Sequence, residues 1–247
     1  MGFIDKILAQ PGFSPSQLAV GAVMYLAWTV AYVLIILKGC RDKSYGVPWP
    51  SLMLNIVWEA IFSFDLTGAK LIDFFVWGNR LWFVFDLVIV YQFLRYGRGE
   101  QGEGAVQRWF YPLAAASFAM SCACLYTFTL YFNDVKGVAS SMSMNLAMSL
   151  MYPFTLAGRP EGRGLSYGAA WLKMIGTAAG SVFLYRWWPA QFVDGRLNTH
   201  PHVTEPTTYS YMVFLYVSIL LVDVVYIALH HKVWARARAL KRAAVRE

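Results

Sequence analysis

Charge is scarce in this sequence. Only 14% of its 247 residues are Asp, Glu, Lys or Arg, against about 25% in an ordinary soluble domain. A single water-soluble domain of this length would need more polar surface than that. Cysteine is also scarce, and three residues cannot build a disulfide framework. Cys122 and Cys124 read as small packing residues. The four histidines (His200, His202, His230 and His231) have no cysteine cluster beside them, so metal-ligand spacing is missing. No DDxxD-like or DxDD run is present, which leaves a metal-diphosphate ionising site nothing to stand on. What the chain has is apolarity: 58% hydrophobic residues and a mean hydropathy of +0.45. Disorder is excluded by those figures. The chain reads as a polytopic, all-α membrane protein.

A bilayer core of about 30 Å takes about 20 helical residues per crossing. Apolar runs of that size fall at 18–37, 50–67, 74–94, 111–131, 139–157, 167–187 and 209–230. The second, fifth and sixth are diluted by polar or small residues. These runs predict one seven-helix domain over 1–247, with short connections and a basic tail at 231–247. Ser14 is placed to cap the first helix, with Pro15 at its first position. The seventh run has no lysine to carry a retinal Schiff base, so a rhodopsin is not expected.

Lysine and arginine set the expected orientation. The odd connections and the tail hold 14 of them, from Lys38, Arg41 and Lys43 to the six between Lys232 and Arg246; the N-terminus and even connections hold 6. The positive-inside rule puts the N-terminus outside or in the lumen and the C-terminus in the cytoplasm. Lys173, near the cytoplasmic start of the sixth run, is expected to snorkel to the surface. Most of the net charge of +7 is therefore topology. The tail suits anionic lipid; nucleic-acid binding is not implied, because no aromatic-interleaved basic domain accompanies it.

Ionisable groups in hydrocarbon are costly and mark function by default. Glu59 lies about 13 Å into the second run, Asp86 about 18 Å into the third and Asp223 about 21 Å into the seventh, at 1.5 Å per residue. Helical spacing gives each a polar or aromatic face. Asn55, Glu59 and Phe62 share one, beside Trp58; Asn79, Trp82 and Asp86 form a second; Tyr216, Asp223, Tyr226 and His230 form a third. Asn145 adds an amide deep in the fifth run. The chain carries 42 aromatic rings, and Trp28, Trp58, Tyr91, Phe128, Tyr152 and Trp171 are candidates to line a cavity. Ring faces attract cationic charge. From the residues alone, such a bundle suits proton chemistry, polar-ligand binding as a small carrier, or interhelical hydrogen bonding.

The segment CRDKSYGVPWPSLMLNIVWEAIFSF resembles the start of the small integral-membrane terpene cyclases of fungal meroterpenoid and indole-diterpene pathways, which have bacterial relatives. The resemblance continues at NRLWFVFDLVIVYQFLRYG, MNLAMSLMYP and LLVDVVYIALHHK, and so covers essentially the whole chain. It implies cyclisation of a polyprenyl chain on an aromatic or indole head group, begun at a terminal epoxide or, in bacterial relatives, an alkene. It implies no metal or other cofactor, a hydrophobic prenylated substrate, and a prenyltransferase and an epoxidase as pathway neighbours. Two acids considered essential in that family fall on Glu59 and Asp223. Protonating an epoxide needs a neutral acid, and an apolar site favours a neutral carboxyl. The expected catalytic set is Glu59, Asp223 and Asp86; the expected substrate contacts are Asn55, Trp58, Phe62, Asn79, Trp82, Asn145, Tyr216 and Tyr226. The membrane is the endoplasmic reticulum if the source is fungal, the plasma membrane if bacterial. The polar connection 189–208 departs from the family pattern.

Overall fold

The computed structural model describes residues 14–68, 73–132, 134, 136–159, 161–186 and 210–244. They form α1 (Pro15–Asp42), α2 (Trp49–Ser63), α3 (Asp73–Glu100), the single turn α4 (Ala105–Arg108), α5 (Phe110–Phe132), α6 (Val138–Ala157), α7 (Tyr167–Arg186) and α8 (Ser210–Ala244). No strand occurs among the described residues. The seven apolar runs thus coincide with the seven long helices. Among the described residues, three segments, Pro15–Asp42, Phe110–Phe132 and Ser210–Ala235, are long and apolar enough to cross a membrane by themselves. In α3, α6 and α7 polar residues dilute the runs, and α2 has only 15 residues, about 22 Å of helix. The chain is an all-α, membrane-embedded protein with several long apolar helices.

Local chemistry explains the helix ends. Ser14 caps α1 with Pro15 at the first helical position, as the sequence suggests, and Gln17 completes a reciprocal capping box that it did not suggest. The far end of α1 closes on Lys43 in the left-handed region at φ 50. The 231–244 part of the expected tail is a direct continuation of α8; the N-terminal 13 residues and the connection 187–209, including the polar segment 189–208, lie outside the described residues.

Helix α1 packs most extensively along α7, α2 along α3, and α8 against both α6 and α7, while α5 leans on α2 from outside. Two glycines one turn apart on α7 permit a close approach to α1. A Cβ at Gly176 would stand 2.6 Å from Cδ1 of Trp28, and one at Gly180 would stand 3.0 Å from Sδ of Met24. Outward faces are apolar, as a lipid-facing surface must be: Leu26, Met120, Leu130, Phe154 and Leu221 are all exposed. Tyr91 and Trp171 belong to this outer surface, at 63% and 42% exposure, which corrects the expectation that they line a cavity. Phe128 is packed beside the cluster of Val138, Met142 and Tyr216.

At one end of the bundle three connections are tied together. Arg159 donates to the Tyr45 carbonyl at 2.6 Å and lies 4.2 Å above the Tyr45 ring. Arg159 and Arg163 both reach Glu100, at 3.5 and 3.3 Å. The Asp42 carboxylate accepts from the Gly164 amide at 2.9 Å. At the opposite end, Asp134 accepts from the amides of Ala139 and Ser140 at 3.1 and 2.7 Å, satisfying the first turn of α6.

Candidate active site

Between α1, α2, α3, α6 and α7 lies a cavity of about 160 Å³. Glu59, Asn55 and Trp58 reach it from α2, Asn79 and Trp82 from α3, Asn145 from α6. Each sits where helical spacing placed it: Asn55 and Glu59 differ by four residues and so share a face. Tyr25, Trp28, Tyr32 and Phe75 complete an aromatic wall, and Met24, Met142, Met144 and Met148 supply soft, deformable surface. Lys136, Gly137 and Val138 border one end.

The tryptophans are anchored through their ring N–H groups. Trp58 donates to Ser140 Oγ at 2.9 Å, and Trp82 donates to Thr29 Oγ1 at 3.0 Å. Tyr25 stacks on Trp82 with centroids 4.6 Å apart. In contrast, Glu59 is buried at 3% exposure, and its Oε2 has no hydrogen-bond partner among the described residues. An unpaired buried carboxyl oxygen is expensive in a packed interior. Here it belongs to a residue that borders the cavity. Asn145 repeats the pattern more mildly: its Nδ2 donates to Thr177 Oγ1 at 3.0 Å and its Oδ1 has no partner among the described residues.

A smaller inner cavity of about 20 Å³ adjoins the first and shares Trp28, Tyr32, Asn55 and Met148 with it. That is room for about one water. Asn55 sits at the junction. Its Nδ2 donates to Tyr32 Oη at 2.6 Å and to Asp86 Oδ2 at 2.7 Å, which uses both of its hydrogens. Asp86 therefore borders the inner cavity, held by Asn55 through one oxygen. Tyr226 also borders it, stacked on Tyr152 at 4.9 Å.

Two expected contacts lie elsewhere. Phe62 borders neither cavity; it backs Trp58 at 4.6 Å and fills the space above Gly137. Tyr216 borders neither as well and packs with Met142, Phe183 and Met212. Both support the wall instead of lining it. Asp223 is buried at 1% exposure and also borders neither cavity. Its two oxygens accept from Lys173 Nζ at 2.8 and 2.9 Å. Lys173 donates as well to Ser149 Oγ at 2.6 Å and is itself 4% exposed. This corrects the expectation that Lys173 snorkels: it points inward, because α8 offers a carboxylate and α6 a hydroxyl at that level. Sequence reading also missed Tyr25, Tyr32 and the four methionines. The recurrence of Met142, Met144 and Met148 within two turns of α6 was the one available signal.

Among the described residues, no three His, Cys, Asp or Glu side chains come together to hold a metal ion. The family model of Pyr4-like transmembrane terpene cyclases matches residues 9–236. Terpene cyclase macJ of Penicillium terrestre is 28% identical over 187 residues, covering 69% of this chain and 68% of the relative. The Pyr4-family terpene cyclase mfmH of Annulohypoxylon moriforme is 31% identical over 202 residues, covering 75% and 77%. Terpene cyclase andB of Emericella variicolor is 23% identical but spans 90% of this chain and 92% of its own length.

Proposed function

Because the chain belongs to the Pyr4-like transmembrane terpene cyclases, we propose that Glu59 starts the cyclisation of a prenylated substrate by donating a proton inside the aromatic cavity. The observation that carries this reading is the buried Oε2 of Glu59 in the wall of that cavity, without a hydrogen-bond partner among the described residues. A carboxyl oxygen without an internal partner is available to a substrate oxygen or double bond. With a terminal epoxide, the Glu59 proton goes to the oxygen and a C–O bond breaks. The resulting tertiary cation is attacked by the next double bond, and each C–C bond formed moves the charge along the chain. Loss of a proton beside the last cation makes an alkene, and the Glu59 carboxylate or another base takes it. The product is an isomer of the substrate, with no net change in protons.

The wall supports each step. Tyr25, Trp28, Tyr32, Trp58, Phe75 and Trp82 surround the space with rings whose faces attract positive charge. Anchoring of Trp58 and Trp82 prefolds the space, so that successive double bonds meet in order. Methionines fit an apolar chain without fixed shape. Asn55 and Asp86 hold the inner side of the chamber, and Asn145 offers a carbonyl oxygen to a substrate hydroxyl. No side chain of the cavity set requires a metal to act in this scheme.

The same reading includes seven spans in one domain over 1–247, with the N-terminus in the lumen or outside and the C-terminus in the cytoplasm. The membrane is the endoplasmic reticulum in a fungal host and the plasma membrane in a bacterial one. An aromatic or indole head group, and a prenyltransferase and epoxidase acting upstream, complete it. The test is expression in microsomes with prenylated phenols and indoles, each with and without a terminal epoxide. A product of unchanged mass and new retention supports the proposal. No conversion of any of them, with the protein inserted and monodisperse in detergent, refutes it and favours a carrier.

A further inference from the structure

We propose that Asp223 acts in the reaction through Lys173, as the counter-ion that cancels a buried ammonium beside the reaction chamber, and not as a donor of the initiating proton. The inference rests on Glu59 being that donor. It starts from three distances. Lys173 Nζ has acceptors at 2.6, 2.8 and 2.9 Å, namely Ser149 Oγ and the two oxygens of Asp223. An ammonium has three hydrogens and no lone pair, so the geometry is that of a fully committed ammonium facing a carboxylate. With both oxygens engaged, Asp223 has no free hydrogen to offer, and it borders neither cavity.

Lys173, by contrast, does border the inner cavity. Its ammonium stands 5.8 Å from the centroid of the Trp28 ring, and Trp28 borders both cavities. A permanent positive charge there would oppose a carbocation formed in the adjoining chamber, and it would occupy the ring suited to stabilise that cation. Asp223 removes the net charge. Because the substrate's reacting end is neutral before protonation, the opposition would be felt in the transition state and hardly at all in binding. Asp223 and Lys173 are thus positioning residues, and a kcat effect with little change in KM is their signature.

The experiment compares Glu59→Gln, Asp223→Asn and the double variant Lys173→Met/Asp223→Asn in the full chain. Substrate turnover is measured per unit of monodisperse inserted protein. Asp223→Asn is expected to lose at least about 100-fold in kcat with KM within about threefold. The double variant, which has lost both charges, is expected to recover to within about tenfold of the parent. If it stays as inactive as Asp223→Asn, Asp223 touches the reacting atoms and the proposal is overturned. Normal kcat in correctly inserted Asp223→Asn overturns it too, since the pair then only holds helices together. Should the Met variant fail to insert, Lys173→Gln/Asp223→Asn keeps a donor and an acceptor at the two positions and is read by the same criteria. Glu59→Gln separates the two readings: activity retained there removes the donor assignment, whatever the pair does.

Discussion

Replacing Glu59 by Gln changes one heavy atom in the wall of the larger cavity and removes a carboxyl proton. Its Oε2 has no partner among the described residues, so the substitution breaks no hydrogen bond at that atom. The amide brings donors into a buried site, at a cost of about 1–3 kcal/mol if they stay unpaired. That is a loss of stability and inserted amount, separable from turnover. General acid catalysis is worth about 10²–10⁴ in rate. At about 1.36 kcal/mol per factor of ten, the expected loss is about 2.7 kcal/mol or more in the barrier, hence at least 100-fold in kcat. Asp86→Asn should cost only about tenfold, because an amide oxygen can still accept from Asn55 Nδ2, now at 2.7 Å from Asp86 Oδ2. Glu59→Asp keeps the carboxyl but withdraws it by about 1.5 Å, one C–C bond, and should fall between the two. The assay is isomer formation by liquid chromatography and mass spectrometry, normalised to monodisperse protein. Turnover of Glu59→Gln near that of the parent would remove the acid assignment. Equal losses in Glu59→Gln and Asp86→Asn would mean that the two carboxyls work as one unit.

Gly137→Ala should destabilise the protein by about 2–4 kcal/mol, combining a left-handed backbone with overpacking, since φ is +73 and the new Cβ would stand 2.6 Å from the Phe62 ring and 2.8 Å from Trp58. Thermal unfolding in detergent together with the product ratio checks this, and an unchanged melting temperature contradicts it. Turnover in washed membranes should survive excess EDTA; a loss that magnesium restores would contradict the proton-initiated mechanism. A reporter fused after Glu247 should be cytoplasmic and one before Phe3 luminal or external; both on one side would mean an even number of spans. Burial pushes the Asp134 carboxyl up to about 6, against the opposing pull of its hydrogen bonds with Ser140 and Ala139. A carboxyl raised in the folded state binds its proton more tightly there than when unfolded, so stability should be greatest in acid and fall as pH rises from about 4 to 6. Melting curves at pH 5 and 7 should show that fall in the parent and much less of it in Asp134→Asn; equal slopes would refute it.

The helices were legible because runs of about 20 apolar residues are long-range compositional signals; their ends moved by six positions or fewer, except that α8 continues from 230 to Ala244. The Asn55–Glu59 face was legible for a related reason: a shared helix fixes relative direction without any knowledge of neighbours. Partners on other helices were not. Asn55 meets Asp86 across 31 residues of sequence, which required the packing of α2 on α3. Aromatic direction was equally hidden. In a soluble helix, polarity contrast tells inside from outside; in lipid both sides of the helix are apolar. Tyr91 and Trp171 face outward, and Trp28 faces inward, with nothing in their local sequence to separate them.

Lys173 is the instructive case. Its place one turn and a half into an apolar run fits snorkelling, and the same place fits an inward ion pair. What decides is whether a neighbouring helix presents a carboxylate at that height, and Asp223 lies 50 residues away in sequence. A buried ion pair is seldom a gain in stability over apolar packing, so its presence at the inner cavity, where Lys173 is a wall residue, asks for a reason in the chemistry. Of the three carboxyls singled out by the sequence, Glu59 and Asp223 sit in opposite circumstances. Glu59 has an oxygen with no partner among the described residues, at the wall of the larger cavity, while Asp223 has both oxygens held and does not border that cavity. One arrangement suits a group that must give a proton away, and the other a group whose task is to keep a charge from being felt.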